Sequence, residues 1–334
     1  MCVLEGFTNL EVLVSMPSSR KLSGGIYAGG NFTELNLLLD YSGRSMVARK
    51  VVKILLDANL KYGYELCDPE FVEFLYEEAV NVLVCDAADG NVFGNFGSVE
   101  IDWQNVREGQ GELSKLVHTF STNNASLEVF QMAFKSILKG GRVRMQFSLV
   151  SFISCLLKFT LKANDLVFIQ EIFATARNAI KALECTDLSD TEKTGLDGMK
   201  QPTHQSLRLY LLAARYAGLS NLHNFAYDFY VCAFNIYETQ IAFCKLQYNA
   251  LSLIISNLQT SSCFLAEEYD ILKNKCILHT SQMLKYENRS RLTLQLTHLY
   301  WHTHIPIQMP ALCDGKNVVD LLKKSLKYAG MFIF

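Results

Sequence analysis

The 334 residues carry a formal net charge of −2, with 50% hydrophobic and only 19% charged side chains, against a usual charged share of about 25%. A chain this long and this apolar outgrows a single compact core, so two lobes or an extended stack are expected. The near-neutral balance supplies no clustered basic face, which excludes binding to nucleic acid and direct attraction to an anionic membrane.

Residues 1–31 are poorly patterned and rich in Gly and Ser (Ser23-Gly24-Gly25, Gly29-Gly30) and read as a loose leader. They hold no basic residue before Arg20, so no signal peptide is expected. Helical periodicity begins near Phe32. A short helix is expected over 32–39 and a longer one over 44–59, with Met46, Val47, Val51, Ile54 and Leu55 on one face. Asp68-Pro69-Glu70 opens the next helix: Asp caps free N–H groups, Pro suits the first turn and Glu complements the dipole. Its apolar stripe runs through Phe71, Phe74, Leu75, Ala79 and Val82.

Residues 86–105 break the pattern with Gly90, Gly94 and Gly97 and read as a loop. Helices are then expected over 112–120, 126–138, 143–161 and 164–183, with Gly140-Gly141 as a helix stop. This completes a first group of solenoid helices over 32–184. The stretch 145–157 is apolar but contains Gln146 and serines, and it falls short of the roughly 20 apolar residues that span a bilayer. Residues 185–203 form a second polar loop. The C-terminal group, 204–334, carries expected helices over 204–217, 221–237, 241–258, 266–284, 289–302 and 316–331.

Nowhere does the strict alternation of a half-buried strand appear between hairpin turns. The pattern is all-α: a HEAT-like helical-hairpin α-solenoid in which each hairpin buries its apolar face against the next. The cysteines Cys2, Cys67, Cys85, Cys155, Cys185, Cys232, Cys244, Cys263, Cys276 and Cys313 form no CxxC pair. They read as free thiols acting as small hydrophobes, in keeping with a cytoplasmic setting.

Chemistry-bearing motifs are sparse. His298 and His302 share a helix face, and His304 and Cys313 follow, a set that could ligate zinc. No HExxH supplies a general base, and the helix ends before Ile305-Pro306, so the cluster reads as a polar helix end; a metalloenzyme is the weaker alternative. The glycines Gly90, Gly94 and Gly97 lack the GK[ST] ending of a phosphate loop, and no serine lies in a GxSxG elbow. The chain is therefore expected to be no enzyme, with no catalytic residue, cofactor or metal. Arg208, between Leu207 and Leu209, is expected to lay its stem along the core and aim its guanidinium at a carboxylate or helix-end carbonyls. On the last helix Val319, Leu322, Leu326, Ala329 and Ile333 make an apolar stripe, widened by Val318, Leu321 and Phe332, from which self-association is expected.

Leu207-Arg208-Leu209-Tyr210-Leu211, Ala217-Gly218, Ala226-Tyr227-Asp228-Phe229 and Ala233-Phe234-Asn235-Ile236-Tyr237-Glu238 resemble, in order and spacing, the vacuolar protein sorting-associated protein 35 family, the large subunit of retromer. Leu253-Ile254-Ile255, Lys275-Cys276, His298-Leu299-Tyr300-Trp301, Gly315-Lys316 and the stretch from Leu321 to Lys327 continue the register, and Asp40-Tyr41 with Arg44, Ser45 and Met46 extend it upstream. The resemblance implies a scaffold for endosomal cargo retrieval, cytoplasmic and peripheral on endosomal membranes, which it reaches only indirectly. It implies binding of the metallophosphoesterase-fold subunit, vacuolar protein sorting-associated protein 29, through the helices between Leu207 and Leu326. The family's element for the arrestin-like subunit belongs to an N-terminal half with no counterpart here, so that contact is not expected. The chain then reads as a shortened homologue or a fragment, and another HEAT-like transport or coat adaptor is the alternative.

Overall fold

Helices form where the apolar periodicity places them, because each apolar stripe can be buried only against another helix. The computed structural model describes residues 41–63, 65–66, 69–76, 103–120, 126–139, 141–163, 165–187, 202–241, 244–301 and 314–333. The leader 1–31, the expected helix 32–39, the glycines Gly90, Gly94 and Gly97, and most of the second polar loop lie outside the described residues. The chain divides into two compact units, Met1–Ala163 and Asn164–Phe334.

In the first unit the helices are α1 (Tyr41–Tyr62), α2 (Pro69–Phe74), α3 (Trp103–Leu116), α4 (Ser126–Lys139) and α5 (Gly141–Phe159). They pack in two interleaved rows: α1 against α3 and α3 against α5, with α2 against α4 alongside, and α4 joined to α5. Alternate helices in alternate rows is the arrangement of stacked hairpins. The expected α1 face is split, for Val47, Val51, Ile54 and Leu55 are buried while Met46 is 63% exposed. Phe130 centres the core, its ring 5.4 Å from Phe120, 5.8 Å from Phe152 and 5.9 Å from Phe159.

Several boundaries differ from the sequence reading, two of them at glycines. α3 begins at Trp103, inside the segment read as a glycine loop. Gly109 and Gly111 depress helix propensity there, but Leu113 and Leu116 are fully buried and their packing outweighs it. Gly141, read as part of a helix stop, is instead the first residue of α5.

In the second unit the helices are α6 (Leu166–Asp187), α7 (Pro202–Leu219), α8 (His223–Thr239), α9 (Cys244–Gln259), α10 (Ala266–Gln282), α11 (Tyr286–Leu296) and α12 (Gly315–Ile333). α7, α9 and α11 pack on one another in one row, and each is joined to the helix that follows it. In the other row α6 meets α8 through Phe173, which lies 5.8 Å from Phe225 and 6.0 Å from Phe229. α8 meets α10 through His279, whose ring is 4.9 Å from that of Tyr237.

Among the described residues there is no strand, though an isolated bridge joins Leu66 and Phe120. The fold is thus all-α, of the HEAT-like helical-hairpin class. The described cysteines Cys155, Cys185, Cys232, Cys263 and Cys276 are free thiols.

Candidate functional site

The residues that stood out in the sequence mostly build the stack. Leu207, Leu209, Tyr210, Leu211, Ala217, Ala226, Phe229, Ala233, Phe234 and Ile236 are all buried. Gly218 leaves room for a neighbour: a Cβ there would meet Cys263 Sγ at 3.3 Å. Arg208 corrects the sequence reading. It is exposed and has no ion pair among the described residues, because position 208 falls on the side of α7 turned from the core that Leu207 and Leu211 enter.

His298 is exposed in a short 3-10 turn, Thr297–Leu299, that follows α11. His302, His304 and Cys313 lie outside the described residues. Among the described residues no group of three or more His, Cys, Asp or Glu side chains could hold a metal ion.

What the sequence did not reveal is a polar seam between α6, α8 and α10. Arg177 Nη1 on α6 donates to Asp228 Oδ2 on α8 at 3.2 Å. Glu184 on α6 accepts from the Tyr210 hydroxyl at 3.3 Å and from Gln240 Nε2 at 2.8 Å. His223, at the start of α8, faces Glu268 of α10 at 3.2 Å. At the far end of the same helices, Glu238 Oε1 accepts from Lys275 Nζ at 2.8 Å and from His279 Nε2 at 2.9 Å. Burial opposes ionisation of Glu238, but the hydrogen bonds and charges of Lys275 and His279 overcome it and hold the carboxyl below its ordinary value. These partners lie far apart in sequence, and no spacing within one helix announces them.

Beside Glu238 the last turns of α8 and α10 and the start of α9 enclose a cleft of ≈ 220 Å³, lined by Tyr237, Glu238, Gln247, His279, Gln282 and Met283. Burial, with Cys276 and Glu238 nearby, pushes the Tyr237 hydroxyl up to about 12, so it stays a neutral phenol. The lining residues offer hydrogen bonds but no nucleophile paired with a base, and their geometry suits holding a group better than converting one.

α12 is the most two-faced helix. Leu321 and Ser325 are buried against α11, where Ser325 Oγ donates to Ser290 O at 2.9 Å. Val319, Leu322 and Leu326 are 47%, 38% and 73% exposed. The stripe read from the sequence therefore divides: Leu321 enters the core, and Val319, Leu322 and Leu326 do not.

A model of the family described as vacuolar protein sorting-associated protein 35 matches residues 9–333. The chain belongs to this family. Among curated relatives it is similar to vacuolar protein sorting-associated protein 35 of Schizosaccharomyces pombe, 38% identical over 37% of this chain and 15% of that protein. It is similar over more of its length to the 35C and 35A proteins of Arabidopsis thaliana, 26% and 25% identical over 89% and 87% of this chain, and over 36% and 35% of those proteins. The chain thus spans about a third or less of the length of these relatives. Among solved structures it is similar to a circular tandem repeat protein, with a TM-score of 0.44 and 10% identity, over 99% of this chain and 83% of that one.

Proposed function

We propose that this chain is a non-catalytic scaffold subunit of retromer, acting in endosomal cargo retrieval by binding vacuolar protein sorting-associated protein 29 through α7–α12. The observation that carries the reading is the family match over 9–333. Two features support it. Helix rows held by buried apolar residues give a partner a rigid surface. The apolar motif residues of α7 and α8 are mostly spent on the core, and outward positions such as Arg208 remain for contact.

The mechanism is assembly, in which no bond is made or broken. Membrane association is peripheral and comes through partners; no described helix is long and apolar enough to cross a membrane.

Co-expression with the small subunit followed by gel filtration tests the reading. The two chains are expected to elute as one species at micromolar concentration, and separate elution overturns it. Affinity capture that instead returns subunits of another coat assigns the chain to a different helical adaptor.

A further inference from the structure

The cleft at the ends of α8 and α10 lies inside the second unit, with α6 and α7 before it along the chain and α11 and α12 after it. Its hydrogen-bonding groups are unevenly spent. The donors are committed to the protein itself. Lys275 Nζ and His279 Nε2 both reach Glu238 Oε1, at 2.8 and 2.9 Å, and Gln247 Nε2 reaches Ile241 O at 3.0 Å. Lys275 is further held over the Phe234 ring, 4.9 Å from its centre. The acceptors are left over. Among the described residues Glu238 Oε2, Gln247 Oε1 and the Tyr237 hydroxyl have no hydrogen-bond partner, although the Tyr237 side chain is buried. With Nε2 donating, the neutral His279 ring leaves Nδ1 as a further acceptor. Lys275 and His279 hold the Glu238 carboxyl below its ordinary value, so the cleft keeps an ionised carboxylate at neutral pH. Tyr237 and Met283, both buried, supply apolar wall.

We propose that this cleft is a receptor for the guanidinium of an arginine side chain carried by a partner protein. An acceptor-rich wall around an ionised carboxylate calls for a donor-rich cation. Guanidinium brings five N–H donors in one plane and no acceptor. A carboxylate or phosphate would meet Glu238 as a like charge and would find the donors already engaged. A lysine ammonium fits less well. It presents three donors from one strongly hydrated point, whereas the flat, weakly hydrated guanidinium lies well against an aromatic ring and a thioether. The volume of ≈ 220 Å³ admits one such head group with part of its stem. Lys275 opposes the incoming cation across the carboxylate they share, so the site is weak alone and adds specificity to a larger contact. The inference rests on the cleft and is independent of the retromer reading.

The test titrates Nα-acetyl-arginine methylamide into the full chain labelled with ¹³C-methyl methionine, the Met283 signal being assigned through M283L. A saturable shift of that signal is expected, with a Kd on the order of millimolar for a single side chain. E238Q should weaken binding about fivefold or more, and K275M, which removes the competing charge, should strengthen it. A change that merely loosened the contact of α8 with α10 would weaken binding in both variants, and that outcome overturns the proposal. So does an unmoved Met283 signal. Equal binding of the matching citrulline derivative, which keeps the shape without the charge, overturns it as well, as does equal or tighter binding of the lysine derivative. Free arginine binding far more tightly than the blocked form would replace the partner side chain with the free amino acid and overturn the assignment.

Discussion

Asn221 stands at φ 55°, where most side chains are strained and glycine or asparagine is tolerated. It closes α7: Asn221 N–H donates to Gly218 O at 3.0 Å and Leu222 N–H to Ala217 O at 2.9 Å, the paired bonds of a Schellman end. Asn221→Ala should lower stability by about 1 kcal/mol, and Asn221→Gly should leave it unchanged or slightly raised. Thermal unfolding of the two variants checks this, and equal midpoints would count against it. Tyr230 is the second residue on which packing depends. Its side chain is fully buried, and its hydroxyl donates to Asn257 Oδ1 at 2.6 Å and pairs with Ser261 Oγ at 3.0 Å, tying α8 to α9. Tyr230→Phe keeps the ring but leaves that carboxamide oxygen without its donor, at an expected cost of about 1–3 kcal/mol in urea unfolding. An unchanged midpoint would show that Ser261 alone satisfies Asn257.

Between elements, α8 and α10 are joined at both ends by charged groups. Glu268 accepts from the Leu265 backbone N–H at 3.2 Å, so one carboxylate both finishes the start of α10 and reaches His223. Glu238 secures the other end through Lys275 and His279. Because its folded-state carboxyl is held below the ordinary 4.5, the stability it contributes is fully present above that pH. It fades as pH falls through the lowered value. Glu238→Gln should therefore lower the urea midpoint modestly at neutral pH, with the difference from wild type shrinking as pH falls below 4.5. Parallel urea midpoints for the variant and wild type across that acid range would remove Glu238 from the account. The effect is modest because Glu238 is 36% exposed and water screens its pairs.

For the whole molecule, the expected behaviour is that of an assembly part, and a last prediction belongs at this scale. His298→Ala should leave folding and capture of the small subunit unchanged, since His298 is exposed and stands apart from other ligating side chains among the described residues. Stoichiometric zinc in the purified wild type, lost in the variant, would contradict it. The sequence by itself determined the helical class, the order of helices and most of the core. These follow from local periodicity: on α7 Leu207 and Leu211, and on α8 Phe229 and Ala233, are buried because the 3.6-residue repeat puts each pair on one stripe. It also carried the family likeness, since the matching positions are mostly core positions. Tertiary structure decided the rest. Whether Arg208 faces the core or water, which half of the α12 stripe meets α11, and that Glu238 finds Lys275 and His279 all depend on how one helix is rotated against another. A stripe of apolar residues on both sides of a helix leaves that rotation open, and only the packed neighbours settle it.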